Sequence, residues 1–254
     1  MDNICYKNSV IAAHLRRSPF EERKRYSGKL EQLLKMRKIF KKILGPFLKK
    51  ASAIYQSKPR NYRYNNISVV VEPTVFPPFL TYSTKILLEF IETLPLKGRT
   101  FLELGCGPGI ISILAAKKES VVTATDINET ALAALEKNAL KNGVSIAVAH
   151  SDLFENLDGK TFDYIIINPP YYPKRPNSIA EKAWFCGEDF DYFEQLFLQL
   201  PDFYSGNDIY MILSEDCEMA KIKAIALKNR MALLLVLEKR TAGERNYVFK
   251  ITSL

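Results

Sequence analysis

The stretch E-L-G-C-G-P-G at residues 103–109 joins a predicted strand, 100–104, to a predicted helix that starts at Gly109. Its three glycines allow the backbone to turn tightly and allow a ligand to approach the main chain without meeting a Cβ atom. The first turn of the following helix carries backbone N–H groups that have no partner within the helix. This composition predicts a ligand-binding loop at the carboxyl edge of a sheet, where open α/β sheets bind their ligands.

Beyond Gly98, runs with strand character alternate with helical periods. The segment 238–246 is too short for a helix, so the last two strands should form an antiparallel hairpin. Parallel crossovers that end in one reversed strand predict an α/β fold: a doubly wound, mostly parallel sheet with one antiparallel strand at its end. The strands are predicted at 100–104, 121–125, 144–149, 162–167, 208–213, 231–237 and 245–251, and the helices at 83–94 with Ser83 as N-cap, 109–118, 128–142, 189–200 and 215–228.

Charge is unevenly distributed along the chain. The first 65 residues carry 17 Lys and Arg against 4 Asp and Glu, whereas the remaining 189 carry 19 against 24. A helical period starts at Leu30, and four lysines share the face opposite its apolar residues. These are Lys35, Lys38, Lys42 and Lys49.

We therefore predict a basic helical extension at 1–65, which could recognise the substrate and contact RNA or the ribosome, and a catalytic domain at 66–254. A solvated polar face would explain the lysines equally well. Residues 57–79 read as a linker with a short hairpin.

No apolar run reaches the roughly 18 residues needed to span a bilayer, and the sequence starts without the features of a signal peptide. We therefore expect a cytoplasmic protein without membrane contact. The four cysteines are scattered without C-x-x-C spacing, and the chain has two histidines. These patterns predict neither a metal site nor a disulfide framework.

The acid that opens the 103–109 loop indicates which cofactor the loop binds. A dinucleotide fingerprint, G-x-G-x-x-G, requires glycine at position 110, where this chain has Ile110. Glu103 would repel a pyrophosphate but attract an amino group. S-adenosylmethionine has an amino group and no phosphate. We therefore expect this cofactor to be bound by Glu103, Gly105, Cys106, Gly107 and Gly109.

Acidic residues also follow the next two predicted strands. Asp126 closes the second strand, 21 residues after Gly105, where an acid accepts hydrogen bonds from ribose hydroxyls. A role at the entry of the following helix is the alternative. Asp152 and Leu153 follow the third strand, and we expect them to bind the adenine end of the cofactor. We assign Ile127 to the same site.

N-P-P-Y at residues 168–171 follows the apolar run 162–167, which is typical of a buried parallel strand. Two successive prolines force the chain out of the sheet in a rigid segment. The Asn168 oxygen and the Pro169 carbonyl are hydrogen-bond acceptors, and Tyr171 offers a flat aromatic face. These groups predict a catalytic receptor for a planar –NH2 group, with Asn168 also contacting the cofactor, whereas a plain proline-rich turn is the alternative.

Together these residues resemble the class I S-adenosylmethionine-dependent methyltransferases, and most closely the "methyltransferase small" group that includes the HemK/PrmC protein-glutamine methyltransferases. The resemblance covers roughly residues 66–254 and rests on the loop at 103–109, Asp126 and N-P-P-Y at 168–171. Asp152 matches the family's adenine-side acid, and A-W-F-C-G-E-D at 183–189 is similar to its A-W-x-G-G-x-D/N segment. The resemblance implies a Rossmann-like, seven-stranded sheet and methyl transfer from S-adenosylmethionine.

The resemblance leaves the methyl acceptor open. The glutamine methyltransferases carry P-R-x-x-T-E before the cofactor loop, whereas residues 76–84 read F-P-P-F-L-T-Y-S-T, without the Arg and the Glu. N-P-P-Y also occurs in methyltransferases that act on exocyclic amino groups of adenine or guanine. We expect a macromolecular acceptor, a protein glutamine amide first and an RNA or DNA base second. A non-catalytic cofactor-binding module is a third hypothesis, and Ile110 disfavours a nicotinamide oxidoreductase.

Overall fold

The computed structural model describes residues 57–241 and 243–254, so the predicted helix from Leu30 and its lysine face lie outside the described residues. The described part begins with an antiparallel hairpin of β1 (Arg60–Tyr64) and β2 (Ile67–Val71). The short hairpin predicted in this segment is thus confirmed. It extends across position 65, and the domain boundary placed there stays a prediction.

Seven strands form one sheet in the order β5-β4-β3-β6-β7-β9-β8. Neighbouring strands are parallel except at β9, which runs antiparallel to both β7 and β8. These strands are β3 (Thr100–Leu104), β4 (Val121–Asp126), β5 (Ala147–His150), β6 (Tyr164–Ile167), β7 (Asp208–Ser214), β8 (Met231–Thr241) and β9 (Glu244–Ser253).

The predicted seven-stranded, mostly parallel sheet is confirmed, but the reversed strand does not lie at its edge. β9 turns back from β8 and inserts beside β7, which leaves β8 as the edge strand. The reason lies in side-chain burial, since Val248, Phe249 and Ile251 of β9 are buried and require neighbours on both sides. Leu234 and Leu235 of β8 are exposed.

Helices pack on the sheet and differ from the sequence predictions at their ends. They are α1 (Ser83–Glu92), α2 (Ile110–Lys117), α3 (Glu129–Asn142), α4 (Ile179–Lys182), α5 (Asp191–Phe203) and α6 (Met219–Lys228). The prediction of Ser83 as an N-cap is wrong, because Tyr82 occupies that position and Ser83 is the first helical residue. Asn128 is the N-cap of α3, and its side chain accepts a hydrogen bond from the Thr130 N–H. The short helix α4 was not predicted.

The sheet separates two apolar layers, and β3 contributes to both. Phe101 packs in one layer, and Leu102 and Leu104 pack in the other, as the alternation of side chains along a strand requires. All four residues of β6 are buried, as expected for a central parallel strand. Because β4, β3 and β6 are neighbours, the loops that follow them meet at one edge of the sheet.

Two asparagines of α3 attach the β1–β2 hairpin to this edge. The Asn138 carboxamide accepts from the Val70 N–H at 2.8 Å and donates to the Val70 carbonyl at 2.9 Å. It also donates to the Pro108 carbonyl at 3.0 Å, within the 103–109 loop. Asn142 makes a similar pair of hydrogen bonds with Ser68. The hairpin is therefore connected to the predicted cofactor loop through Asn138, by partly buried hydrogen bonds to Val70 and a buried one to Pro108.

Within the described ranges, no helix is both long enough and apolar enough to cross a membrane.

Candidate active site

A cavity of about 440 Å³ lies at the carboxyl ends of β3, β4 and β6. Its volume is in the range of small-molecule sites. Nine residues predicted from the sequence line it, and three do not. Those that line it are Glu103, Gly105, Cys106, Gly107, Asp126, Ile127, Asp152, Leu153 and Asn168, and those that do not are Gly109, Pro169 and Tyr171.

The 103–109 loop is held against β4 by backbone hydrogen bonds. The N–H groups of Gly105 and Cys106 both donate to the Thr125 carbonyl, at 2.9 and 2.8 Å. Gly105 has φ +78°, and a Cβ atom added there would meet nothing within 4 Å. Gly105 therefore leaves room for a ligand beside the main chain.

Gly109 serves packing within the same loop. It has φ +81°, and a Cβ atom at this position would lie 2.0 Å from Cδ1 of Leu135 in α3. Because Gly109 does not line the cavity, its missing side chain lets the loop and α2 approach α3 closely. The position of Gly109 therefore does not support the predicted direct contact with the cofactor.

Glu103 is buried, with 5% of its surface exposed. One carboxylate oxygen accepts from the backbone N–H of Ser112 in α2 at 2.8 Å and from the Ser112 hydroxyl. Burial raises the pKa of Glu103 to about 8, although the hydrogen bonds from Ser112 oppose this change. A cationic ligand group in the cavity would favour the ionised carboxylate.

Asp126 links the end of β4 to the glycine loop and to the start of α3. Its Oδ2 accepts from the Gly107 N–H and its Oδ1 from the Asn128 N–H, both at 2.9 Å. Burial raises the pKa of this carboxyl, whereas the backbone N–H groups lower it. Each oxygen has a further lone pair, so the group can still accept hydrogen bonds from a pair of ligand hydroxyls.

Asp152 and Leu153 follow β5 on the same side of the cavity. Asp152 is exposed, whereas Leu153 is buried with φ 49°. The Ser151 hydroxyl donates to the Leu153 carbonyl at 2.9 Å and fixes this turn. Tyr192 of α5 also lines this cavity, and burial, with the charges of Asp152 and Asp126, raises the pKa of its phenol.

Asn168 leaves β6 at the centre of the sheet edge. Its Nδ2 donates to the hydroxyl of Thr84 in α1 at 3.5 Å, and Thr84 is itself buried. In the described part of the chain no hydrogen bond reaches the Asn168 carboxamide oxygen or the Pro169 carbonyl. Both acceptors predicted from N-P-P-Y therefore keep their lone pairs.

Tyr171 is placed differently from the other members of this motif. It is 8% exposed and packs in the apolar layer that contains Leu102 and Leu104, with its ring centroid 4.8 Å from that of Tyr172. Burial raises the pKa of its phenol strongly. In this conformation its ring faces the core, so the predicted stacking on the acceptor stays a prediction. Rings of other residues line the cavity, namely Phe76, Phe185 and Tyr192.

Residues 172–187, here called the flap, form the wall beside Asn168. The Tyr172 N–H donates to the Trp184 carbonyl at 3.1 Å, and the Cys186 N–H donates back to the Tyr172 carbonyl at 3.0 Å, which closes the flap at its base. Gly187 has φ +90°, and a Cβ atom there would lie 1.8 Å from Oδ2 of Asp191. The family-like A-W-F-C-G segment thus forms part of the cavity wall, a location that sequence reasoning did not assign.

Residues 74–78 form a second wall that sequence reasoning missed. Thr74, with φ 73°, accepts at its carbonyl a hydrogen bond from the Asn128 side chain at 3.1 Å. The Phe76 ring lies 5.0 Å from that of Trp184, so this loop and the flap touch above the cavity. The prolines around Phe76 indicated only a linker, because the contact joins positions far apart in sequence.

Among the residues that the structure describes, no group of three or more His, Cys, Asp and Glu is arranged to hold a metal ion.

Comparison with known proteins gives a family match and several relatives. The family model "Methyltransferase small domain" matches residues 66–184. A Methanocaldococcus jannaschii protein, whose name assigns it as a protein N5-glutamine methyltransferase, is 33% identical over 153 residues, which cover 58% of this chain and 75% of that protein. A ribosomal RNA small subunit methyltransferase C of Haemophilus influenzae is 30% identical over 187 residues, which cover 67% of this chain and 54% of the relative.

Solved structures share the fold at lower sequence identity. One is the 16S rRNA N2 G1207 methyltransferase of T. thermophilus in complex with AdoMet and guanosine. It has a TM-score of 0.52 and 18% identity, covering 76% of this chain and 50% of that chain. At this identity the likeness is one of fold.

Proposed function

The chain belongs to the methyltransferase small domain family of S-adenosylmethionine-dependent methyltransferases, and from this premise we propose that it methylates the side-chain amide nitrogen of a protein glutamine. The observation that carries the proposal is the Asn168 carboxamide, whose N–H end is bound to Thr84 and whose oxygen is left as an acceptor on the cavity. The relative assigned as an N5-glutamine methyltransferase supports this acceptor.

The residues of the cavity fit S-adenosylmethionine. Gly105 leaves space beside the backbone, and Asp126 retains lone pairs for the two ribose hydroxyls. Glu103 lies where a carboxylate would pair with an amino group, while Asp152 and Leu153 form the wall for the adenine. We propose these contacts as the cofactor site.

S-adenosylmethionine would supply a methyl group on a sulfonium. The acceptor nitrogen would attack the methyl carbon, so that a C–N bond forms while the C–S bond breaks and neutral S-adenosylhomocysteine leaves. An amide nitrogen is a weak nucleophile, since its lone pair is delocalised. We propose that the Asn168 oxygen accepts one of its N–H hydrogens and that the Pro169 carbonyl, although Pro169 does not line the cavity in this conformation, accepts the other, so that the nitrogen is held in line. Positive charge that develops on the nitrogen strengthens both hydrogen bonds in the transition state. The extra proton leaves to water after transfer, so these residues need no general base.

Transfer of a labelled methyl group tests the proposal. The full-length protein is incubated with methyl-labelled cofactor and a cell extract, and the labelled macromolecules are digested and analysed by mass spectrometry. We expect the label on a glutamine side chain, and we expect the Asn168→Ala variant to leave the extract unlabelled. A label on the backbone, on another side chain or on a nucleobase contradicts the glutamine assignment.

A second candidate is the exocyclic amino group of a nucleobase in RNA. It is supported by the absence of P-R-x-x-T-E at residues 76–84 and by the relative named as a ribosomal RNA methyltransferase. The Asn168 carboxamide oxygen and the Pro169 carbonyl, proposed as acceptors for the two hydrogens of a glutamine amide, would hold an amino group of adenine or guanine in the same way. The labelling experiment distinguishes the two, because digestion with nuclease releases the label only from RNA.

The basic residues 1–65 are proposed to deliver the acceptor. Their 17 Lys and Arg against 4 Asp and Glu support contact with RNA or with a protein bound to it. Deletion of this segment should raise the KM for the acceptor and leave the cofactor Kd unchanged. Loss of cofactor binding by the folded truncated protein would contradict this role.

A further inference from the structure

The flap carries three cations near its outer end, and they differ in their surroundings. The Lys174 Nζ lies 3.8 Å from a carboxylate oxygen of Glu181 and 4.4 Å from the centre of the Phe185 ring. Its charge is therefore already compensated within the flap. Arg175 and Lys182 are exposed, and neither side chain makes a hydrogen bond or an ion pair with any residue that the structure describes.

Arg175 and Lys182 nevertheless line the cavity. Acidic and basic side chains occupy different parts of the cavity wall. The acids of the wall lie at the sheet edge and at the start of α5, and the two cations lie on the flap, beside Phe185. Within the described residues no other Lys or Arg lines the cavity. The wall acids are Glu103, Asp126, Asp152 and Asp191.

Internal hydrogen bonds fix the shape of this part of the flap. The Ser178 side chain caps α4 by accepting from the Glu181 N–H, and a Glu181 carboxylate oxygen accepts from the Asn177 N–H at 2.8 Å. The Gly187 N–H donates to the Lys174 carbonyl at 3.2 Å. Arg175 and Lys182 flank this hydrogen-bonded turn, so two charges are presented from a structured segment at the mouth of the cavity.

We propose that Arg175 and Lys182 bind the phosphate backbone of RNA, and that RNA is the partner that presents the methyl acceptor to this cavity. Two cations without side-chain partners among the described residues lie on the flap with the half-buried ring of Phe185, which also lines the cavity. Single-stranded RNA is bound by this combination of phosphate contact and base stacking. The guanidinium of Arg175 can bind a phosphate through two parallel hydrogen bonds. The excess of basic residues in 1–65 has the same sign and would extend the contact.

This inference rests on the proposed methyl transfer at the same cavity and adds its partner, because the acceptor glutamine would then belong to a protein that is bound to RNA. Carboxylates could also pair with the two cations, and the cofactor has one of its own. A cofactor carboxylate and an RNA phosphate are both anions. If the two cations bind the cofactor, their substitution should weaken cofactor affinity, and if they bind RNA, it should weaken RNA affinity.

The test compares two charge-neutralised double variants of the full-length chain. The first is Arg175→Gln with Lys182→Gln. The control is Lys117→Gln with Lys160→Gln, which removes the same charge from two exposed lysines that do not line the cavity. Binding of a mixed-sequence single-stranded RNA of about 12 nucleotides is measured by fluorescence anisotropy over a range of salt concentrations, and the cofactor Kd of each protein is measured by calorimetry.

We expect the slope of log K against log salt for RNA to become less steep by about 1.4 in the flap variant, as for two lost phosphate contacts on a single strand, and to stay unchanged in the control. The cofactor Kd should be unchanged in both. Equal changes in the two variants, or no change in either, overturn the inference. A weaker cofactor Kd in the flap variant with unchanged RNA binding overturns it in favour of the cofactor carboxylate. The anisotropy experiment measures RNA affinity and does not require methyl transfer. A finding that the protein does not methylate glutamine would therefore leave the RNA-binding result valid.

Discussion

The cavity has two halves that are held in place by different interactions. In the cofactor half, formed by residues 103–107 with Asp126 and Asp152, the glycine loop is fixed by backbone hydrogen bonds to Thr125 and Asp126. In the acceptor half, formed by Asn168, the flap and residues 74–78, side-chain contacts connect segments from distant parts of the chain. These are the 3.5 Å hydrogen bond of Asn168 to Thr84, the 3.1 Å hydrogen bond of Asn128 to the Thr74 carbonyl, and the ring contact of Phe76 with Trp184. The proposed cofactor half is thus fixed mainly through the main chain, whereas the proposed acceptor half is held by side-chain contacts, which can vary without disturbing the sheet.

This difference predicts that substitutions in the acceptor half act on turnover and that substitutions in the cofactor half act on cofactor affinity. The largest expected effect is that of Asn168→Ala. The rate of methyl transfer should fall on the order of 10²–10³, because a transition-state acceptor is lost, while the cofactor Kd should hardly change. Single-turnover kinetics and calorimetry check the two quantities separately.

A substitution of Thr84, the hydrogen-bond partner of Asn168, tests the same role more finely. Thr84→Val keeps the volume of the buried side chain and removes only the hydroxyl that accepts from Asn168. We expect a smaller loss of rate than in Asn168→Ala, since the carboxamide remains but is less firmly oriented. If Asn168→Ala turned over its acceptor as fast as the wild type, the catalytic role would be wrong.

In the cofactor half, Asp126→Ala should weaken cofactor binding by about 1–3 kcal/mol, because it leaves ligand hydroxyls without their partners. Asp152→Ala serves as the control, and its effect should be smaller because Asp152 is exposed to solvent. Calorimetric titration with S-adenosylhomocysteine measures both. An Asp126 variant that binds as tightly as the wild type would show that the ribose lies elsewhere.

Much of the cofactor half could be predicted from sequence because its signals are local. Glu103, the glycines and Asp126 lie within 24 consecutive residues of alternating strand and helix. In the acceptor half, the only cavity-lining residue predicted from sequence was Asn168, next to a strand. Burial of the Tyr171 ring and the contact of Phe76 with Trp184 depend on packing between elements about 100 residues apart, and no short motif encodes such packing. The insertion of β9 beside β7 was missed for the same reason.

Two glycines of one loop provide a further test of this comparison. Gly105 and Gly109 have similar positive φ angles, but only Gly109 would place a Cβ against Leu135. Both substitutions place alanine at a positive φ, but only Gly109→Ala also adds a clash. The free energy of unfolding of Gly109→Ala should therefore be roughly 1–2 kcal/mol lower than that of Gly105→Ala. Gly105→Ala should instead weaken cofactor binding. Chemical denaturation measures the stability, and equal stabilities of the two variants would contradict the packing role of Gly109.

The smallest effect expected at neutral pH is that of Glu103→Gln. Burial raises the pKa of this carboxyl from 4.5 to about 8, so the ligand-free folded protein holds a proton that the unfolded chain has lost. Between these values Glu103 therefore lowers stability as the pH rises. If a cofactor amino group favours the ionised form, cofactor affinity should rise with pH up to about 8, by no more than tenfold per pH unit.

Calorimetry in buffers of different ionisation enthalpy checks this prediction. The wild type should release protons when it binds cofactor at pH values below about 8, and the Glu103→Gln variant should release fewer. Its affinity should also depend less on pH. Equal proton release by the two proteins would show that Glu103 is not coupled to the cofactor.

The most direct test of the account is a crystal structure of the full-length protein with S-adenosylhomocysteine. The account predicts that the ribose hydroxyls lie within hydrogen-bond distance of Asp126 and that the sulfur atom faces the carboxamide of Asn168, with open space between them for the acceptor. A ligand whose ribose has no contact with Asp126, or whose sulfur lies away from Asn168, would contradict the division of this cavity into a cofactor half and an acceptor half.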